Sequence, residues 1–254
     1  MKRCTFYLPL LLSLIASAAK ADVITARVTS DAEEHLTAFG GNDGFGSVDL
    51  TSSDLELISE GNGGLDWQAI GLQFTGLGIA RGSLINSAAV TFTIDPGEVG
   101  QAGNLALTIF GELTPNAVAM SATNFNLSTR LRTASSVSWN LSTTNPATGQ
   151  PYVNGQLLST PDISNIFREI IGQTGWDANN QLSLLIFPNA FFTDPAGGTV
   201  LPEIELRSLD FGEPSAPLLS VDFTAVPEPS SFLLIAVFGI FAMRGQRFKK
   251  PMLS

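Results

Sequence analysis

Cysteine, histidine and lysine are almost missing from this chain. Of its 254 residues one is a cysteine, Cys4, and one a histidine, His35, and no lysine occurs between residues 22 and 226. Each absence excludes a chemistry. Cys4 precedes the first apolar run, so once that segment is removed the protein has no thiol, no disulfide and no thiolate ligand, and its stability rests on packing. One histidine without cysteine cannot supply the usual ligands of a zinc site. A nucleophilic triad would need His35 as its base, yet His35 follows the acidic run Asp31-Ala32-Glu33-Glu34, the setting of an exposed loop histidine. No glycine-rich loop follows a strand and opens a helix, so no phosphate cradle is encoded. Gly40-Gly41 and the stretch from Gly61 to Gly64 are expected in turns.

Positive charge is scarce in the middle and concentrated at the ends. Residues 22–226 hold six arginines against 22 acids, a net charge of −16. Such a surface repels nucleic acid and anionic lipid, so nucleic acid is not an expected partner. An acidic face ordinarily keeps a secreted protein soluble; binding of a divalent cation such as calcium is the alternative. Apolar residues make up 44% of the chain and charged residues 14%, enough to fill a core. The roughly 200 residues between the ends suit one large β domain.

What is present at the N-terminus is Met1-Lys2-Arg3, an apolar run from Phe6 to Ile15, and Ala19-Lys20-Ala21 before Asp22. A basic start, a short apolar centre and small residues two apart are what signal peptidase reads, with cleavage expected after Ala21. A retained membrane helix is the competing reading, but the run is short for a bilayer core of about 30 Å. Residues 1–21 are therefore read as a signal peptide, 22–225 as the folded module and 226–254 as a tail.

That tail reads Val226-Pro227-Glu228-Pro229, then Ser230-Ser231, an apolar stretch from Phe232 to Met243, and a basic cluster of Arg244, Arg247, Lys249 and Lys250. Proline on both sides of Glu228 holds the backbone extended, as a processing enzyme requires. The apolar stretch spans with the help of snorkelling basic residues, which stay in the cytoplasm and leave everything before Pro227 outside. The motif, apolar helix and basic cluster in this order resemble the PEP-CTERM sorting signal of Gram-negative bacteria. The resemblance implies recognition by a membrane-embedded exosortase, transient anchoring in the inner membrane, and release or attachment at the cell surface, typically in bacteria that make exopolysaccharide. A simple C-terminal anchor is the plainer alternative.

Between the ends, short alternating runs separated by Gly, Asn, Asp and Pro predict antiparallel strands near 23–28, 47–50, 55–57, 68–74, 87–94, 106–112, 137–140, 182–187, 203–208 and 218–224. Ten short strands predict an all-β sandwich. One segment departs from the pattern. Thr160 as N-cap, Pro161 at the first helical position, and Ile163, Ile166, Phe167, Ile170 and Ile171 at helical spacing before Gly172 predict one amphipathic helix, with Trp176 covering its end.

From Ser52 to Trp176 the chain resembles a jelly-roll module of secreted bacterial proteins, of the carbohydrate-binding-module and DNRLRE type. The residues that carry this are Ser52-Ser53-Asp54-Leu55-Glu56-Leu57, Gly71-Leu72-Gln73-Phe74, Ile79-Ala80-Arg81-Gly82, Ile85-Asn86-Ser87-Ala88 and the Thr160-Pro161-Asp162 helix. Ser220-Val221-Asp222-Phe223 resembles the unit's last strand, and Ala80 stands where such modules usually have proline. By analogy with such modules, Asp31, Glu56 and Asp222 are candidate oxygen ligands for calcium.

Glycoside hydrolysis needs only two carboxylates, and Asp54, Glu56, Asp66 and Glu112 are candidates whose mutual placement sequence does not give. A sugar platform would use exposed aromatics, and the candidates are Trp67 above all, then Trp139, Trp176, Tyr152 and Phe191-Phe192, most of which are expected in the core. The leading expectation is a non-catalytic binding or structural module, in contact with extracellular polysaccharide. A secreted polysaccharide-degrading enzyme and a self-assembling surface-layer or adhesin protein are the alternatives.

Overall fold

The computed structural model describes residues 21–36, 44–59, 67–95, 103–189 and 202–226. Within them the regular structure is antiparallel strand, about half of the residues, with one short helix. The strands are β1 (Ala21–Arg27), β2 (Ser30–His35), β3 (Val48–Asp49), β4 (Asp54–Leu57), β5 (Gln68–Phe74), β6 (Leu84–Thr93), β7 (Asn104–Glu112), β8 (Arg132–Ser142), β9 (Thr144–Asn145), β10 (Gln150–Pro151) and β11 (Leu157–Ser159). The helix α1 (Ser164–Ile171), then β12 (Leu182–Pro188), β13 (Ile204–Arg207) and β14 (Leu218–Thr224) complete them.

Two sheets carry the architecture. One has the order β1-β14-β6-β11, the other β3-β2-β5-β12-β7-β8, and the pairs β13-β4 and β10-β9 stand beside them. Alternation explains how they meet. In β14, Leu219, Val221 and Phe223 are buried while the residues between them face outward; in β7, Leu105, Leu107 and Ile109 do the same. These inner faces join in one core, in which Phe92 of β6 stacks on Trp139 of β8 with ring centroids 5.8 Å apart. Burying each such side chain stabilises the fold by about 1.5–3 kcal/mol. In β6 the alternation breaks after Ile85, because Asp222 pairs with Ser87 but Phe223 with Ile85, leaving Asn86 as a bulged extra residue. Its side-chain amide donates to Asp222 Oδ1 at 2.8 Å.

Every residue of β5 is buried, because the outer face of its sheet is covered as well. The segment between β7 and β8 lays Met120 and Leu127 over Ala32, Ala69 and Leu185, forming a second, smaller core. At Gly71 a Cβ would stand 2.7 Å from Leu127 Cδ2 and 2.8 Å from Met120 Cε, so a larger residue there would push these side chains aside. On the inner side α1 buries Ile166, Phe167, Ile170 and Ile171. Trp176 lies beyond it, buried, and its indole N–H donates to the Ile79 carbonyl at 2.8 Å.

The helix starts later than its sequence suggests. Thr160 caps nothing: its amide donates to Val90 O and its hydroxyl accepts from Val90 N, while Ile163 N donates to Ala88 O. The chain thus continues the β11–β6 ladder through these positions, and sheet pairing outcompetes capping. Asp162 takes the end of the helix instead, accepting from Ser164 N at 3.0 Å and from Ala88 N at 2.9 Å.

Candidate functional site

The largest departure from expectation is β2. Asp31-Ala32-Glu33-Glu34-His35 is a buried strand between β3 and β5, paired from Ser30 opposite Gln73 to His35 opposite Gln68. His35 is not an exposed loop residue. Alternation sends Asp31, Glu33 and His35 to one face and Ala32 and Glu34 to the other.

Each acid is held by the backbone of a distant segment. Asp31 Oδ2 accepts from Leu209 N at 2.7 Å, yet burial, aided by the nearby Asp210, pushes its carboxyl up to about 6. Glu34 Oε2, on the outer face, accepts from Leu127 N at 2.6 Å and Ser128 N at 2.9 Å. Glu33 Oε1 accepts from Glu56 N at 2.6 Å. Burial, then a hydrogen bond from its carboxyl to the Glu56 carboxyl, raises Glu33 well above an ordinary glutamate. Gln68 completes the arrangement: with its amide nitrogen toward the acids, it donates to Glu33 Oε1 at 3.0 Å and Glu56 Oε2 at 3.2 Å. Glu205 of β13 lies opposite Glu56 in the register.

Chemically this is a proton-holding pair. Glycoside hydrolysis needs carboxyl groups about 5–9.5 Å apart with room for a sugar and water between them. Glu33 and Glu56 touch, at 4% and 9% exposure. Glu112 is buried in an ion pair with Arg130 at 2.6 Å. Asp54 accepts from the Ser52 hydroxyl at 2.8 Å. Asp66 lies outside the described residues.

The three calcium candidates are not brought together. Asp31 is in the six-stranded sheet, Glu56 in the β13-β4 pair, and Asp222 on the outer face of the four-stranded sheet against Asn86. No group of three or more acids and histidines among the described residues is arranged to hold a metal ion. Bonding to distant backbone and side-chain partners has taken each carboxylate a separate way.

Trp67 does not form a sugar platform either. It is 2% exposed, a core residue bridged to Ser59, and Trp139 and Trp176 are buried with it. Phe191 and Phe192 lie outside the described residues, as do Ala19, Pro227, Glu228, Pro229 and the glycines from Gly61 to Gly64. Val226, the last described residue, is exposed, and Ala21 opens β1.

Among the described aromatic candidates, Tyr152 lines open space. A cavity of about 530 Å³ lies where β7 and β8 meet the β9–β10 hairpin, walled by Asn104, Asn140, Ser142, Pro146 and Tyr152 over Leu105 and Leu141. Tyr152 packs part of its ring on the main core, and burial raises its phenol. Among the described residues, none that lines this cavity is charged.

No family model matches the chain, and no curated protein matches it. Among solved structures, a chain from the cryo-EM structure of Mud crab tombus-like virus is similar at 10% identity, over 92% of this chain and 96% of that one, with a TM-score of 0.26. A likeness of that size carries no argument about function.

Proposed function

We propose that this is an exported surface or extracellular-matrix protein, processed by signal peptidase and an exosortase, whose jelly-roll-like sandwich binds or builds polysaccharide matrix without catalysis. The observation that carries this reading is the pairing of β1 with β14. Ala21 lies opposite Thr224 and Arg27 opposite Leu218, so the ends of the module that adjoin the two terminal segments leave side by side, at one end of one sheet. A leader and a sorting tail attached there can be held at the same membrane face and cut in turn. Cleavage after Ala21 removes one ladder residue and leaves Asp22–Arg27 paired with Leu218–Phe223.

The exposed Val226 supports the same reading, since a processing enzyme needs chain clear of the fold at this point. The sealed Glu33–Glu56 pair supports a non-catalytic role for these acids, because substrate has no approach to it. Fractionation of a Gram-negative host that carries an exosortase tests the proposal. Wild-type chain is expected outside the inner membrane, and Pro227→Ala/Glu228→Ala/Pro229→Ala chain is expected to accumulate in it. Equal export and trimming of both would refute it.

A further inference from the structure

We infer that the β4–β13 ribbon is a pH-sensitive flap: two carboxyls of β2 clamp it onto the six-stranded sheet while they hold protons, and it lifts locally as the medium turns alkaline. The topology makes such a motion separable. β4 and β13 form a two-stranded sheet of their own, joined to its neighbours by the isolated bridges Ser59 to Trp67 and Ile94 to Leu206 and the backbone bonds beside them. Toward β2 the grip is through side chains. Asp31 and Glu33, two positions apart and so on one face, accept from Leu209 N, just beyond β13, at 2.7 Å and from Glu56 N of β4 at 2.6 Å. Lifting the ribbon bares Leu55, Leu57 and Leu206, which are buried in the closed form.

The clamp is crowded with acids. The Gln68 amide nitrogen lies 3.0 Å from Glu33 Oε1 and 3.2 Å from Glu56 Oε2, so two buried carboxyls meet around one neutral group. From β4, Asp54 shares the face of Glu56; from β13, Glu205 and Arg207 lie opposite these two in the register, with Glu203 two positions before Glu205. Asp210 adds its charge beside Asp31. Residues 22–226 carry six arginines and no lysine, and each arginine has another partner. Arg27 pairs with Glu213, Arg130 with Glu112 and Arg207 with Asp95. Arg132 lies over the Phe187 ring, and Arg81 and Arg168 donate to the carbonyls of Gly172 and Ile85. Two carboxylates in one buried site without a cation do not both ionise while the site stays closed, and lifting the ribbon hydrates them. The closed form therefore binds more protons than the open one, and rising pH favours opening. Burial, which raises both Asp31 and Glu33, sets the window: the clamp is complete below pH 3.8 and is lost as pH rises through about 6 for Asp31 and through the raised value of Glu33. His35, next on the same face of β2, acts in the same direction, since a histidine sheds positive charge as pH rises.

Hydrogen–deuterium exchange of the full-length chain in mild detergent, read by mass spectrometry from pH 5 to 9 and corrected for the base-catalysed rate of free amides, tests this. Protection of peptides covering Asp54–Leu57 and Ile204–Arg207 is expected to fall by about tenfold or more across that range, beyond any change in Leu218–Thr224. Glu56→Gln keeps the size of the side chain and removes one charge, so it should retain most of the ribbon's protection at pH 9, and Asp31→Asn should retain part of it. The wild-type profile is decisive by itself if a variant fails to fold. Ribbon protection that is flat with pH, or that falls only in step with β14, would overturn the inference, as would a folded Glu56→Gln chain with the wild-type pH dependence.

Discussion

Asp31, Glu33 and Glu34 are three acids within four positions of one strand, and their environments drive them apart. Asp31 titrates near 3.8 in the unfolded chain and at about 6 in the fold. Between those values the folded protein holds a proton that the unfolded chain has released. The stability this provides is therefore complete below pH 3.8 and is lost as pH rises through about 6, with a ceiling of roughly 3 kcal/mol. Glu33, raised in the same direction by burial and by Glu56, adds to the trend. Glu169 opposes it: burial alone would raise its carboxyl, but the amides of Ser135 and Ala134 hold it below the ordinary range, so its contribution fades only in stronger acid. The urea midpoint of the protein is thus expected to be higher at pH 5 than at pH 7.5. Asp31→Asn keeps an acceptor for the Leu209 amide and loses the charge, so it should exceed wild type at pH 7.5 and flatten the pH dependence. A midpoint indifferent to pH, or a variant weaker than wild type at pH 7.5, would contradict this placement of the proton.

At the scale of elements, the strap between β7 and β8 depends on one guanidinium. Arg130 donates to Glu112 Oε2 at 2.6 Å, to the carbonyls of Val118, Ala119 and Asn126, and to Asn126 Oδ1. Arg130→Ala leaves the Glu112 carboxylate buried without its cation, and a loss of about 3–5 kcal/mol is expected in chemical denaturation. Arg130→Lys should restore little, because an ammonium cannot reproduce the fork. An Ala variant as stable as wild type would remove the strap from the account. This element also marks what sequence could and could not show. Strands with an apolar period were legible: the ranges read for β5 and β14 coincide with the structure. The strand β2 was not, because its acids mask any period of two and their partners lie up to 178 residues away in the chain. The start of α1 was misplaced for a related reason, since Thr160 carries a good capping side chain whose donors and acceptors a neighbouring strand had already taken. Trp176 was read as core covering the end of α1 and is buried there, whereas residue type suggested a platform at Trp67, which is core as well.

At the scale of the whole molecule, the two sheets organise around a chain whose described ends meet in the β1–β14 ladder. The alternating apolar strands and the helix α1 were readable from residue spacing, while the cavity at Tyr152 depended on a hairpin meeting a sheet edge and left no local signal beyond the tyrosine itself. The central claim is that the apolar segments at both extremities are addresses removed from an acidic β module outside the cell. Intact-mass spectrometry of the protein recovered from culture medium and cell surface tests it most directly. The account predicts a species that begins at Asp22 and ends close to Val226-Pro227-Glu228-Pro229, without the basic cluster. A cytosolic species retaining both Met1 and Ser254 would contradict it.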